Sequence, residues 1–236
     1  MSREEEYFSA MVVCIGNMRF FASLRTTYQL WSLMYISKLY REEDSDKILE
    51  FLRQNEFATL VTYDGEKPTA GHLLMEVVEE KGQLFVNGHM SKANPLWKTF
   101  EQSPEVLVIF QGSHTYISPT WYNHVNVPTW NYQAVHVYGK PRIVSDRDEY
   151  YALLSHLVAR HEGVTKYRLE TLPQDFVEKE MKGIVAFQIE VTRIEANYKL
   201  SQNRNDEDYH NIISRLEERE DEMSHGVAEA MKRQRP

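Results

Sequence analysis

The feature that most constrains the fold is a pair of strand-like segments joined by an Asp-Gly turn. The segments Phe57 to Tyr63 and Pro68 to Val78 carry β-branched and aromatic residues, which favour strands. Asp64 and Gly65 lie between them and tolerate the positive φ angles of a tight turn. The sequence therefore predicts an antiparallel hairpin closed by a two-residue turn.

Further strand signals recur along the chain at short intervals. The predicted strands are Leu84–Asn87, Val106–Gly112, His114–Ser118, Asn131–Val144 and Ile184–Glu195. Six or seven antiparallel strands with a few helices are typical of a small barrel with helical attachments. We therefore predict a mainly β fold of the α+β kind.

Helical patterns appear between and after these strands. In the segment Asp44 to Asn55, Ile48, Phe51 and Leu52 follow the spacing of one helix face, and Asp44 or Ser45 can cap the start. Three more helices are predicted: 145–161 with Gly163 as its stop, Pro173–Lys182, and a charged C-terminal segment Asp206–Lys232 that Gly226 interrupts.

A possible anion site lies in the segment Gly88 to Phe100, GHMSKANPLWKTF. It follows a predicted strand and opens a predicted helix, with Asn94 as N-cap and Pro95 in the first helical position. Backbone N–H groups at a helix start and nearby side-chain donors suit a phosphate. Simple capping of the helix is the alternative explanation. The turn carries three donor side chains: His89, Ser91 and Lys92.

Large aromatic residues are concentrated between His114 and Tyr138. Pro119 and Pro128 predict a loop there, and large aromatic side chains in a loop are not easily explained as core. They are interpreted either as the apolar wall of a planar cofactor site or as part of a dimer interface. The residues concerned are Trp121, Tyr122, Trp130 and Tyr132.

Several classes of catalytic site have no candidate in the sequence. The nine histidines form no His-x-x-x-His pair, so no metal site is predicted. No nucleophile elbow, P-loop or Gly-x-Gly-x-x-Gly loop is present, and no catalytic residue is assigned. Cys14 is the only cysteine, which excludes an internal disulfide and fits a reducing cytoplasm.

The charge pattern argues against broad contact with nucleic acid. The formal net charge is -8, and residues 1–33 hold three basic and three acidic residues, so the excess acid lies beyond them. A local basic patch at Lys232, Arg233 and Arg235 remains the candidate for DNA contact. No apolar run approaches the roughly eighteen residues of a membrane span.

The first 33 residues differ from the rest of the chain. An acidic start and an interrupted apolar segment do not fit a secretory signal, and Met34 begins a stretch that resembles a natural N-terminus. We expect residues 1–33 to be an extension without function. A short helix packed on the body is the alternative. Residues 34–198 are then the main domain, and residues 199–236 form a C-terminal motif and helical tail.

Four strings carry a resemblance to a known family: ANPLWKTF, QGSHTYISPTWY, VPTWNYQAVHVYGK and KLSQNR, in that order. From Met34 to the C-terminal helix the chain resembles the PaiB family of FMN-binding negative transcriptional regulators. The resemblance implies an FMN-binding split β-barrel with peripheral helices, related to the pyridoxamine-phosphate oxidases. It also implies a homodimer with flavin sites at the subunit interface.

The resemblance further implies part of a cofactor site. Ser91 and Lys92 match two positions of the oxidases' Ser-Arg-Lys turn and are expected at the FMN phosphate, while the arginine of that turn is missing. His72, Leu73 and Leu74 are expected along the edge of the flavin ring, and His72 stands where the oxidases have an arginine.

The segment Lys199 to Arg204 is similar to the oxidases' C-terminal motif, with one extra residue and without its histidine. Recognition of pyridoxamine phosphate is therefore not predicted. Arg204 is expected to reach the flavin of the partner subunit. His89 and Trp130, chosen for their residue chemistry, complete the predicted cofactor-binding set.

Three functions remain open from the sequence. The first is a PaiB-type regulator of protease production and sporulation, in which FMN acts on a cytoplasmic dimer. The second is a flavin-dependent oxidoreductase, because bound FMN carries hydride chemistry. The third is a non-enzymatic dimer that binds haem or another ligand. No helix-turn-helix motif is present, so any action on DNA is expected to be weak or indirect.

Overall fold

The computed structural model describes residues 34–235, so the prediction for residues 1–33 lies outside the described residues. Seven strands and five α-helices are assigned in this range, with three short 3-10 helices (η). In chain order they are β1 (Arg41–Glu42), α1 (Ser45–Gln54), β2 (Phe57–Tyr63), β3 (Pro68–Glu80), β4 (Gln83–Ser91), η1 (Pro95–Glu101), β5 (Val106–Ile117), η2 (Pro119–Trp121), β6 (Thr129–Ile143), α2 (Arg147–Glu162), η3 (Leu169–Thr171), α3 (Gln174–Met181), β7 (Ile184–Lys199), α4 (Asp206–Glu217) and α5 (Glu222–Gln234).

Six of the strands form a closed antiparallel barrel. The order β7-β4-β3-β2-β5-β6 is closed by pairing between β6 and β7, and the two-residue strand β1 adds to β7. The predicted mainly β fold with peripheral helices is confirmed.

The predicted hairpin is formed by β2 and β3, but its turn is longer than predicted. Tyr63 pairs with Pro68, so four residues connect the strands. Gly65 has a φ of 98°, and the Asp64 carboxylate accepts hydrogen bonds from the backbone N–H groups of Glu66 and Lys67. The side chain of Asp64 thus organises a wider loop than the Asp-Gly pair alone would require.

The barrel opens between β3 and β4. Residues 68–74 of β3 pair with β2, whereas residues 75–80 pair with β4. Pairing between β3 and β4 ends at Met75 and Gly88, and β4 continues to Ser91 paired only with β7. We call the gap between the two strands beyond Gly88 the split.

The barrel interior is filled by apolar side chains that alternate with outward-facing ones. Each such side chain contributes about 1.5–3 kcal/mol when buried. Phe187 of β7 lies against Gly88, where a Cβ would be 2.5 Å from the Phe187 ring. The fully buried core residues with no measurable exposure include Leu52, Leu60, Met75, Val86, Val108, Phe110, Val135 and Ile189.

A second, smaller apolar cluster joins the helices α2 and α3 to the outside of the barrel. It contains Leu153 and Leu154 of α2, Val177 and Met181 of α3, and Ala186 of β7. These helices therefore cover the outer face of β7 near its start.

Two predicted boundaries are wrong. The segments 106–112 and 114–118 form one strand, β5, with a register shift between Gln111 and His114. The C-terminal helix breaks at residues 218–221 and not at Gly226, which lies inside α5. Tertiary packing explains why position 226 is a glycine. A Cβ at Gly226 would overlap the Ser113 side chain, beside the irregularity in β5.

Among residues 34–235, none of the helices combines the length and apolar character needed to cross a bilayer.

Candidate functional site

The segment after Gly88 differs in part from its prediction. The strand β4 extends to Ser91, so His89 and Ser91 are strand residues and the turn begins only at Lys92. The helix that follows is the 3-10 helix η1 and not an α-helix. Asn94 caps it as predicted, since its Oδ1 accepts a hydrogen bond of 3.0 Å from the Leu96 backbone N–H.

The backbone N–H groups of this turn are already engaged. The N–H of Lys92 donates to the Gly183 carbonyl at 2.9 Å, and that of Ala93 donates to Ser91 Oγ at 3.3 Å. The N–H of Asn94 donates to the Ser91 carbonyl at 2.9 Å. The predicted orphan N–H donors are therefore not available, because local turn bonds and the Asn94 cap use them.

Side chains supply the remaining donors at the split. Lys92 is exposed and forms no salt bridge with a described residue, so its ammonium is open to an anion. The exposed Ser91 hydroxyl lies next to it in sequence. His89 is half-buried, and its Nδ1 is buried with no hydrogen-bond partner among the described residues. Burial lowers the pKa of His89, which favours a neutral ring.

The three residues predicted along the ring edge do not share one face of β3. His72 is exposed, and its Nδ1 lies 3.0 Å from Thr59 Oγ1. Leu73 packs against the barrel core, since successive residues of a strand point to opposite faces. Only His72 and Leu74 can therefore face a ligand outside the barrel. Both belong to the part of β3 beside the split.

Close packing joins this edge to η1. A Cβ at Gly71 of β3 would lie 2.9 Å from Leu96 of η1. The helix that follows Ser91 and Lys92 is thus held against the strand that carries His72. The structure brings His72, Leu74, His89, Ser91 and Lys92 to the same opening of the barrel, which we call the split site.

Arg204 and Trp130 lie at the other end of the barrel. Ser91 pairs with Ile184, the first residue of β7, whereas Tyr132 pairs with Lys199, the last residue of β7. Ile184 and Lys199 are fifteen positions apart, which corresponds to as much as about 50 Å of extended strand. One chain alone does not bring Arg204 to Lys92.

Trp130 was expected in a loop but is part of β6, which begins at Thr129. Its side chain is exposed, its Nε1 donates to His114 Nδ1 at 3.3 Å, and the two ring centroids are 5.8 Å apart. Tyr116 of β5 pairs with Trp130 across the strands, with ring centroids 6.4 Å apart. Cross-strand pairing therefore builds an exposed aromatic surface at this end of the barrel.

The KLSQNR segment combines positive charge with aromatic rings. The Arg204 guanidinium lies 4.5 Å from the centroid of the Tyr122 ring. Arg204 Nε and the Tyr122 hydroxyl are both buried without a hydrogen-bond partner among the described residues. Lys199 Nζ donates to Thr129 Oγ1 at 2.6 Å, and burial together with the charge of Arg204 lowers the pKa of Lys199.

We call this second group the distal site. It contains Trp130, Tyr122, Lys199 and Arg204. The sequence assigned no role to Lys199 beyond its place in the motif, and Tyr122 was one of several aromatic candidates. Their proximity depends on the end of β7 meeting the segment after η2, which no local pattern reveals.

The two sites have complementary chemistry. The split site offers an ammonium, a hydroxyl and imidazoles, which suit a phosphate and polar ring atoms. The distal site offers aromatic faces and an arginine, which suit a planar, electron-rich group. Within residues 34–235, no three His, Cys, Asp or Glu side chains group in a way that could hold a metal ion.

Comparison with known proteins adds a family and a fold. Residues 34–193 match the protein family described as "Putative FMN-binding domain". The chain is 42% identical over 203 residues to the Bacillus subtilis (strain 168) "Protease synthase and sporulation protein PAI 2", an alignment that covers 84% of this chain and 96% of the relative.

Two solved structures show the same fold at low sequence identity. The flavocytochrome Anf3 from Azotobacter vinelandii is 16% identical with a TM-score of 0.51, covering 72% of this chain and 75% of that chain. The FAD and heme binding protein from Mycobacterium smegmatis is 14% identical with a TM-score of 0.52, covering 72% and 79%.

Proposed function

The chain belongs to the PaiB-type family of FMN-binding proteins, and from this premise we propose that it binds FMN as a homodimer and acts as a transcriptional regulator. The observation that carries the proposal is the split site. There, a lysine that forms no salt bridge with a described residue and a serine hydroxyl lie beside imidazoles at an opening of the barrel.

The residues of the split site fit FMN. The Lys92 ammonium and the Ser91 hydroxyl would hold the phosphate, because charge-assisted hydrogen bonds are the strongest that side chains offer to an anion. His72, Leu74 and His89 would lie along the flavin ring, and the Nδ1 of His89 has no hydrogen-bond partner among residues 34–235. Bound FMN would supply electron or hydride transfer, and the protein residues would bind and orient it.

A second copy of the chain would complete the site. Arg204 and Trp130 cannot approach Lys92 within one chain, because they lie at opposite ends of β7. In a two-fold dimer each subunit contributes both ends of its barrel to the interface, so the split site of one subunit can face the distal site of the other. This arrangement gives the flavin ring the aromatic wall that the split site lacks.

The regulatory role rests on the Bacillus subtilis relative, whose name refers to protease synthesis and sporulation. Two of the three C-terminal basic residues are engaged in ion pairs, which does not favour direct DNA contact. Lys232 is paired with Glu217 and Glu229, and Arg235 lies 3.0 Å from Asp206. These pairs cancel charge that would otherwise face a phosphate backbone. We propose that FMN occupancy changes the state of the dimer, and that the effect on genes is indirect.

Flavin titration of the purified protein tests the proposal. We expect saturable FMN binding at one FMN per chain, with yellow colour and quenched flavin fluorescence. A colourless protein that takes up no FMN at micromolar excess would rule the proposal out. Rapid, saturable oxidation of NADH or NADPH would favour the oxidoreductase function instead. Nanomolar, salt-sensitive binding to a specific promoter fragment would show direct action on DNA.

A further inference from the structure

A row of polar residues crosses the outer face of the barrel beneath α2. Glu76 of β3 pairs with Asn87 of β4, Asn87 pairs with Gln188 of β7, and Gln188 pairs with Arg142 of β6. Glu76, Asn87 and Gln188 are only 2%, 9% and 6% exposed. Sheet faces covered by a helix are normally apolar, since burial of a polar group without a partner is costly.

The row borders a cavity of about 660 Å³ between the sheet and α2. This volume lies within the range of about 300–1,000 Å³ that is typical of small-molecule sites. Leu153, His156 and Arg160 of α2 form one wall, and Glu79 and Glu80 of β3 lie at the sheet side.

Most polar atoms of the row have partners. Gln188 Nε2 donates to Asn87 Oδ1 at 3.0 Å, and Arg142 Nε donates to Gln188 Oε1 at 3.2 Å. Glu76 Oε2 lies 3.0 Å from His156 Nδ1. Glu76 Oε1 is buried and has no hydrogen-bond partner among the described residues, and the Arg160 Nε is 3.8 Å away. Glu76 Oε1 is therefore a buried carboxylate oxygen beside the cavity that lacks a hydrogen-bond donor among the described residues.

Arg160 divides its charge between this oxygen and the carboxylate of Glu56. Its Nε lies 2.5 Å from Glu56 Oε1, and its Nη2 donates to the Arg53 carbonyl at 3.1 Å. Four carboxylates line the cavity against two arginines, Arg53 and Arg160. One of the four, Glu149, is held by Arg142. The excess of acid favours a cation and disfavours a phosphate.

We propose that this cavity binds a small organic cation whose ammonium or guanidinium group donates to Glu76 Oε1. The aliphatic part of such a ligand would lie against Val78, Ala152 and Leu153, which also line the cavity. The cavity adjoins the split site, because Glu76 and Asn87 each lie two residues, about 7 Å along the strand, from Leu74 and His89 on the same strand faces. The proposal does not depend on flavin binding.

The test uses the full chain and a pair of matched probes. n-Butylammonium chloride and neutral butan-1-ol are titrated separately at equal ionic strength, with binding followed by NMR chemical shifts. We expect the ammonium to bind in the millimolar range and the alcohol not to saturate. Equal binding of the alcohol would overturn the proposal. Stoichiometric displacement of the ammonium by FMN would assign the cavity to the flavin and also overturn it.

Substitutions locate the binding. Glu76→Gln keeps the size of the side chain and removes its charge, so we expect at least a tenfold weaker affinity for n-butylammonium. Glu101→Gln, an exposed acid outside the cavity, is the control and should leave the affinity unchanged. If Glu76→Gln does not fold, the double change Glu79→Gln and Glu80→Gln at the cavity should weaken binding severalfold. Unchanged affinity in the folded cavity variants would contradict the proposal.

Discussion

The guanidinium of Arg204 lies 4.5 Å from the ring centroid of Tyr122, while its Nε has no hydrogen-bond partner among the described residues. Contact between a cation and an aromatic face contributes about 0.5–2 kcal/mol. Ser201 in the same segment has a φ of 61°, which turns the chain sharply after β7. The ring and the turn therefore hold Arg204 in place at the distal site.

This relationship gives a prediction about a site shared between subunits. Lys92→Ala should impair the split site, and Arg204→Ala should impair the distal site. When the two variants are unfolded together and refolded, random pairing makes half of the dimers mixed, and each mixed dimer has one intact composite site. We expect about a quarter of the sites to regain tight FMN binding, measured by fluorescence titration. No recovery in mixed dimers would show that each FMN site belongs to one chain.

The phosphate contact can be tested by itself. Lys92→Ala should weaken FMN binding about tenfold or more, since the change removes a charge-assisted hydrogen bond worth roughly 1.5–3 kcal/mol. Lys98→Ala in η1 is a matched control, because Lys98 is exposed and lies 5.6 Å from the Trp97 ring rather than at the split. Equal loss of affinity in both variants would point to general electrostatic attraction instead of a specific contact.

Replacing Gly226 with alanine should destabilise the protein, although alanine has the higher helix propensity. Alanine at an exposed helix position is usually more stable than glycine by about 1 kcal/mol. Here a Cβ would overlap Ser113, so Gly226→Ala should lower the free energy of unfolding by about 1–3 kcal/mol in urea denaturation. Adding Ser113→Gly should recover most of the loss. A stabilised single variant would show that α5 does not pack this closely on β5.

Histidine burial predicts the acid sensitivity of the fold. Burial lowers the pKa of His89, so below about pH 6.5 the unfolded chain binds the proton more readily than the folded chain. The free energy of unfolding should therefore fall as pH decreases from about 6.5 towards the lower folded pKa. His89→Asn should reduce this slope when unfolding is measured across that pH range. An unchanged slope would show that His89 is solvated in the fold.

Much of the fold could be predicted because its signals are local. Alternating residues identified β2, β3 and β7, and Asn94 was identified as a helix cap from its position before a proline. Boundaries were predicted wrongly where one local signal is compatible with two structures. A glycine in a helical pattern usually indicates a helix break. Gly226 instead leaves space for the side chain of Ser113 on the neighbouring strand β5.

The candidate site was predicted only in part. Ser91, Lys92 and His72 do lie at one opening, but Leu73 faces the core, and Arg204 and Trp130 lie at the far end of β7. A motif names the residue types of a site without showing how far apart the elements lie in one subunit. The polar row at Glu76 had no signal in the sequence, because its four residues come from four different strands.

The sequence by itself determined the strand and helix segments, the hairpin, the cap at Asn94 and membership of an FMN-binding family. These properties depend on residue spacing and on turn chemistry within a few residues. The tertiary structure alone decided the closure of the barrel, the gap between β3 and β4, the separation of Lys92 from Arg204 and the cavity at Glu76. These depend on strand register and helix placement, which arise from contacts between residues far apart in the chain.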